Sequence, residues 1–261
     1  GISSAGGLDL VLCSTLSRGM ASPELCPMPN TDRRELVNPD KNSVHSIAHK
    51  SIFQLWMYCG TCLGNFGTCF LLQDLNKDCD DKYMYFATAA HNLYCWNKSC
   101  NQYRSVRIMA RWDQSEDGLE PVYLTKSIGI NTDDFGWLKV SAEYEKKANS
   151  IPVQVDNEDR LTVLLRHYTC DFGVIAAKKL DFLDIESSHV PSPAFQLPVF
   201  DGDVTKEEES AYLCGYPADI GGTHGKYWVK EPSKVAPVPR METLLLKHKV
   251  DSSKGQSGAP L

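Results

Sequence analysis

Lys254-Gly255-Gln256-Ser257-Gly258-Ala259-Pro260 is the stretch on which the reading of this chain turns. A Gly-x-Ser-Gly-x-Pro run sets a serine hydroxyl beside backbone N–H groups, which is what a serine nucleophile and its oxyanion hole require. A serine hydroxyl is a weak nucleophile, so it needs a base within hydrogen-bond reach and a third group that orients the base. Matching residues stand upstream. His91 ends Phe86-Ala87-Thr88-Ala89-Ala90-His91, and Asp171 opens Asp171-Phe172-Gly173-Val174-Ile175-Ala176, an acid ahead of a short apolar strand. Taken singly, each fragment also fits a plainer role: a polar turn, a histidine at a strand end, a strand-entry carboxylate. All three in one chain, each beside an apolar run, point to a Ser-His-Asp triad.

The order along the chain is His, Asp, Ser. An α/β-hydrolase runs Ser, Asp, His and a subtilisin Asp, His, Ser, so the order points to the chymotrypsin type of double β-barrel. The apolar pattern agrees. From Ser51 onward short apolar runs alternate with polar turns: 52–58, 66–73, 83–88, 107–112, 136–140, 161–165, 174–177, 212–214 and 244–246. Many short strands with little helical periodicity read as all-β. The expected architecture is therefore all-β, two antiparallel β-barrels of the chymotrypsin type. Residues 1–45, rich in Ser, Pro, Asp and Arg, read as an N-terminal arm or prosegment, and 46–261 as the folded domain. The 80 residues from His91 to Asp171 are more than this architecture needs, and 96–123 and 143–160 are expected to be surface insertions.

Composition narrows the functional classes. With 261 residues and 42% hydrophobic side chains the chain can bury one or two substantial cores. Its net charge of −6 comes without a Lys/Arg cluster, which gives nucleic-acid binding no support, and no apolar run reaches the length of a membrane span. Ten cysteines are ordinary for a secreted protein and many for a cytosolic one, and Asn97-Lys98-Ser99 is a glycosylation sequon, so a secreted protein with disulfides is expected. Cys59-Gly60-Thr61-Cys62 has three readings: turn cysteines in disulfides, a redox pair, or half a zinc site completed by Cys69 and Cys79. Its position between two strand-like runs favours the hairpin with disulfides. No cofactor or metal is expected.

With these motifs in hand, the chain resembles the trypsin-like serine peptidases, and within them the glutamyl-endopeptidase, or V8-like, branch. Leu213-Cys214-Gly215-Tyr216-Pro217-Ala218-Asp219 with Tyr227-Trp228 is similar to that branch's Gly-Tyr-Pro-Gly-Asp segment before a Trp, and Asn30-Thr31-Asp32-Arg33-Arg34 to its Asn-Asp-Arg stretch. The resemblance spans about residue 29 onward. It implies a monomeric endopeptidase acting on protein or peptide substrates: Ser257 as nucleophile, His91 as general base, Asp171 holding the imidazole, and the N–H groups of Gly255 and Ser257 as oxyanion hole. Gln256 stands where trypsin has the aspartate that binds a new N-terminal ammonium, so trypsin-style activation is not expected. Asp251 stands where trypsin places its specificity-pocket aspartate, yet a similar Asp occurs in the acid-preferring V8-like branch. It therefore leaves the preference open between basic and acidic residues, and the other V8-like motifs tilt it to acidic.

Two departures stand out. In many relatives a cysteine directly follows the histidine and pairs with one on the preceding strand; here Asn92 follows His91, and Cys95, with Cys69 or Cys100 as partner, is the nearest substitute. The resemblance also implies several strands after Ser257, so the second barrel is expected to be cut short after the nucleophile motif. The alternative to a peptidase is a catalytically silent trypsin-like domain that serves as a binding module.

Overall fold

Short apolar runs separated by polar turns cannot sustain helices of useful length, and they emerge as strands. The structure is a computed structural model that describes residues 34–38, 40, 43–59, 62–72, 82–95, 102–129, 135–150, 171–179, 209–211, 213–217, 226–229, 233–237, 246–248 and 257–260. In chain order these form β1 (Arg34–Leu36), α1 (Ser43–Ser51), β2 (Ile52–Cys59), β3 (Cys62–Leu71), β4 (Tyr83–Thr88), α2 (Ala90–Leu93), β5 (Tyr94–Cys95), β6 (Gln102–Tyr103), β7 (Ser105–Ser115), β8 (Gly118–Tyr123), β9 (Gly136–Val140), α3 (Ala142–Ser150), β10 (Gly173–Lys178), β11 (Glu209–Ala211), β12 (Cys214–Gly215), β13 (Tyr227–Val229), β14 (Ser233–Pro237) and β15 (Leu246–His248). The fold is mostly β, and its strand pairs are antiparallel. The expected run 161–165 lies outside the described residues.

The largest sheet has seven strands in the order β8-β7-β2-β3-β4-β10-β9. Side chains alternate across a strand, so Phe53, Leu55 and Met57 of β2 share one face with their counterparts on neighbouring strands. With Leu71, Phe86, Val106, Ile108, Leu138 and Ile175 they form the main core. The opposite face of β2–β4 is covered as well: Ile52, Phe70 and Ala87 pack with Ala48 of α1 and Cys214 of β12. Burial on both faces is why β2 reads as an apolar run rather than as a clean alternation.

Two elements come from sequence without periodic signal. β1 pairs with β13, Glu35 opposite Trp228, inside the stretch expected to be an arm. The buried His45 of α1 fixes this segment from below: its Nδ1 accepts from the Asn38 N–H at 3.1 Å, and its Nε2 lies 3.2 Å from Glu35 Oε1. The segments expected as surface insertions are corrected. Residues 105–123 form β7 and β8, with β7 hydrogen-bonded to β2 and burying Val106, Ile108 and Met109. Residues 142–150 form α3, which seats Tyr144 and Ala148 against the core, four residues apart on one helix face. Among the described residues no helix is long and apolar enough to cross a membrane.

The cysteine expectations also change. Cys59 and Cys62 are opposite one another in the backbone register of the β2–β3 hairpin, so the hairpin of the turn reading forms. Cys69 lies seven residues beyond Cys62 on β3, about 23 Å away at the strand rise, and cannot complete a zinc site with it. Cys95 meets Cys59, Sγ to Sγ 3.5 Å, rather than Cys69, which pairs with Phe53 six residues back along β2. Cys79 and Cys100 lie outside the described residues.

Candidate active site

His91 and Asp171 meet because two neighbouring strands end together. β4 and β10 are antiparallel partners with Thr88 opposite Gly173, so the chain leaving β4 and the chain entering β10 emerge at the same edge. Three residues beyond Thr88 is His91, on the single turn α2; two residues before Gly173 is Asp171. The carboxylate grips both the backbone and the ring of the histidine: Oδ1 accepts from the His91 N–H at 2.9 Å, and Oδ2 lies 2.7 Å from His91 Nδ1.

The electrostatics follow from that geometry. The Asp171 side chain is 1% exposed and that of His91 13%. Burial of Asp171 acts to raise its pKa, but the His91 charge and hydrogen bond, with the backbone N–H groups of His91 and Ala90, outweigh it and leave the carboxyl below its ordinary range. An ionised Asp171 has only lone pairs to offer, so the proton between the two groups belongs to Nδ1. That leaves the lone pair of a neutral ring on Nε2, which is the state a general base needs.

Ser257 is brought to the same place through its main chain. Its carbonyl oxygen accepts from the Thr68 N–H at 2.9 Å and from Asn92 Nδ2 at 2.8 Å. Asn92 is the residue after His91, so the serine is anchored to the turn that carries the histidine. The next residue, Gly258, has φ +83°, and a Cβ there would come within 2.3 Å of Thr88 Oγ1 and 2.4 Å of the Thr68 carbonyl. Only glycine can lie so close to the strand ends while taking this backbone conformation.

Behind the serine, Thr68, Thr88 and Asn92 form a closed polar cluster. Thr88 Oγ1 donates to the Thr68 carbonyl at 2.7 Å and accepts from Asn92 Nδ2 at 2.9 Å, while Thr68 Oγ1 accepts from the Tyr216 N–H at 3.2 Å. All three side chains are buried. The motif segments Thr88-Ala89-Ala90-His91, Ser257-Gly258 and Gly215-Tyr216-Pro217 are thereby tied to one another. Sequence reading singles out His91, Asp171 and Ser257 but takes Asn92 only as a missing cysteine, and gives Thr68 and Thr88 no role of their own. Gly255, Gln256 and Asp251 lie outside the described residues. Among the described residues no group of three or more His, Cys, Asp or Glu side chains converges as a metal site.

No protein-family model matches the chain, and no curated protein matches it in sequence. Among solved structures it is similar to a thermostable serine protease from an extremophilic microorganism, at 14% identity and TM-score 0.46, covering 82% of this chain and 78% of that one. It is also similar to a protease of M. tuberculosis in its active form, at 16% identity and TM-score 0.36, covering 89% and 75% of the two chains. Both likenesses are distant, and the chemistry of the site rests on its own geometry.

Proposed function

We propose that this chain is a serine endopeptidase of the trypsin-like type, with Ser257 as nucleophile, His91 as general base and Asp171 as the group that orients it. The observation that carries the reading is the His91–Asp171 pair: a buried carboxylate bonded to both the backbone N–H and the Nδ1 of a histidine whose neighbour, Asn92, holds the Ser257 carbonyl. In the proposed reaction His91 Nε2 takes the hydroxyl proton as Ser257 Oγ attacks the substrate carbonyl carbon. The C–N bond then breaks, the proton passes from His91 to the departing amine, and water hydrolyses the acyl-enzyme by the same two proton transfers. Gly255 and Ser257 supply the N–H groups that receive the developing oxyanion, each worth about 2.7–4 kcal/mol in the transition state.

The double-barrel architecture belongs to this proposal, supported by the order His, Asp, Ser and by the antiparallel seven-stranded sheet. So does secretion, supported by ten cysteines and the sequon at Asn97. For specificity we infer a preference for acidic residues before the cut bond, supported by Gly215-Tyr216-Pro217, Gln256 and Asp32-Arg33. A peptide-library digest decides it: predominant cuts after Lys or Arg would place Asp251 at the base of the pocket and overturn the acidic preference. The peptidase reading itself is tested with a fluorophosphonate. The wild-type protein should be labelled on Ser257, and Ser257→Ala should lose both labelling and peptide hydrolysis. An unlabelled wild type would leave the silent binding module as the better reading, and a Ser257→Ala variant of full activity would refute the nucleophile.

A further inference from the structure

Asn92 joins the serine turn to the histidine turn through its side chain. It is 2% exposed, and the two hydrogens of its Nδ2 are both spent, one on Thr88 Oγ1 at 2.9 Å and one on the Ser257 carbonyl at 2.8 Å. The orientation of the carboxamide is not arbitrary. The Ser257 carbonyl can only accept, and Thr88 Oγ1 already donates its proton to the Thr68 carbonyl, so both neighbours require N–H and not oxygen from Asn92. Gly67 makes the room: a Cβ at that position would stand 2.7 Å from Asn92 Nδ2 and 3.0 Å from its Cγ.

We propose that Asn92 is a positioning residue that fixes Ser257 relative to His91, and that Gly67 belongs to the same device by leaving space for the carboxamide. The inference rests on the peptidase reading. A serine hydroxyl at the end of one turn and an imidazole at the end of another stay in line only if the turns are held together. The Thr68 N–H ties Ser257 to β3, and Asn92 alone, among the described side chains, ties it to the turn that carries the base. Release of that tie lets the nucleophile drift, and a displacement of about 1 Å from attack geometry can cost about 10²-fold in rate.

The experiment compares wild type, Asn92→Ala, Gly67→Ala and the double variant by fluorophosphonate labelling rate per folded molecule, by kcat and KM, and by thermal unfolding. Asn92→Ala should lower kcat and the labelling rate about 10- to 100-fold with KM within about twofold. Gly67→Ala should do the same, since its methyl displaces the carboxamide without removing a polar group. In the double variant the methyl occupies vacated space, so Tm should recover above that of Asn92→Ala while kcat remains as low as in the worse single variant. Asn92→Asp is the second route should the alanine variant fail to fold: its carboxylate keeps the shape but has no hydrogen to donate, and the same loss is expected. A wild type that is labelled while Asn92→Ala and Asn92→Asp are labelled equally fast would overturn the positioning role, as would kcat losses that multiply in the double variant. A wild type that is not labelled would overturn the peptidase reading, and this inference with it.

Discussion

Replacing Asp171 by asparagine tests the pair on which the site is built. The carboxylate receives N–H groups from His91 and Ala90 of the backbone and from the His91 ring. Asparagine can keep its carbonyl oxygen at the Oδ1 position, facing the backbone amides, which places its NH2 group where Oδ2 met Nδ1 at 2.7 Å. Two donors cannot share that contact, so Nδ1 must become the acceptor and the ring proton moves to Nε2. The nitrogen that should accept the Ser257 proton is then already protonated. In a triad of this design that tautomer change costs about 10⁴ in kcat, or about 5.4 kcal/mol at 1.36 kcal/mol per tenfold. Steady-state kinetics on a folded variant, checked by circular dichroism, is the assay. The same substitution should lower unfolding free energy at neutral pH by only about 1.5–3 kcal/mol, the range for a hydrogen bond to a charged group. That stability difference has a definite pH sense. Asp171 titrates below its ordinary value of 3.8, so its contribution is complete above that value and is lost as pH falls through the lower folded value. Undiminished kcat in Asp171→Asn, or a loss of activity no larger than the fraction unfolded, would refute the reasoning.

Two more perturbations follow from part-buried groups. Lys226 Nζ donates to the carbonyls of Ala48 and His49 at the end of α1, both at 2.9 Å, and burial pushes its pKa down to about 8. The unfolded lysine binds a proton more tightly, so wild-type stability should rise between about pH 8 and 10.5 by an increment that Lys226→Met lacks; identical pH slopes of Tm in the two proteins would count against it. The Cys59 and Cys95 sulfurs, 3.5 Å apart, need only close to about 2.05 Å to bond. Oxidised glutathione should take up the two electrons and two protons, giving two reduced glutathione molecules and a protein lighter by about 2 Da with Cys59 linked to Cys95 in peptide mapping. A map that links Cys95 elsewhere would be the contrary result.

The strands were legible where burial writes a pattern into the chain. Residues 83–88 and 136–140 read as strands and form β4 and β9 with those same bounds: β9 alternates with one face on the core, and β4 is a short apolar run whose Phe86 and Ala87 are buried on opposite faces. β7 reads as a strand over 107–112 but is assigned to a surface insertion, and β8 is not read, for an equally physical reason. In β8 the exposed Gly118, Leu119 and Glu120 precede a half-buried Pro121-Val122-Tyr123, which leaves a weak apolar signal on a strand held mainly by ladder bonds to β7. α3 carried a signal that length arguments overrode: Ser141 caps it, its Oγ accepting from the Tyr144 N–H at 3.1 Å, with Glu143 and Glu145 in the first turn. β1 could not be read at all, since three residues have no period and their partner, β13, lies almost two hundred positions away.

The site divides along a similar line. The proposed nucleophile, base and acid form a chemically scarce combination, and their types and order are visible in one sequence. The residues that hold them in register are common polar side chains whose meaning comes only from what they face. Thr68 and Thr88 become recognisable when β3 and β4 bring the Thr88 hydroxyl onto the Thr68 carbonyl beside Gly258, and Asn92 when its two hydrogens find their acceptors. Gly67 and Gly258 complete the case: one leaves room for the Asn92 carboxamide and the other lets the serine turn lie against Thr68 and Thr88, requirements set by contacts between segments distant in the chain. A sequence read alone therefore points to the proposed reacting groups, and the packing of β3, β4 and the serine turn brings the segments that carry them together.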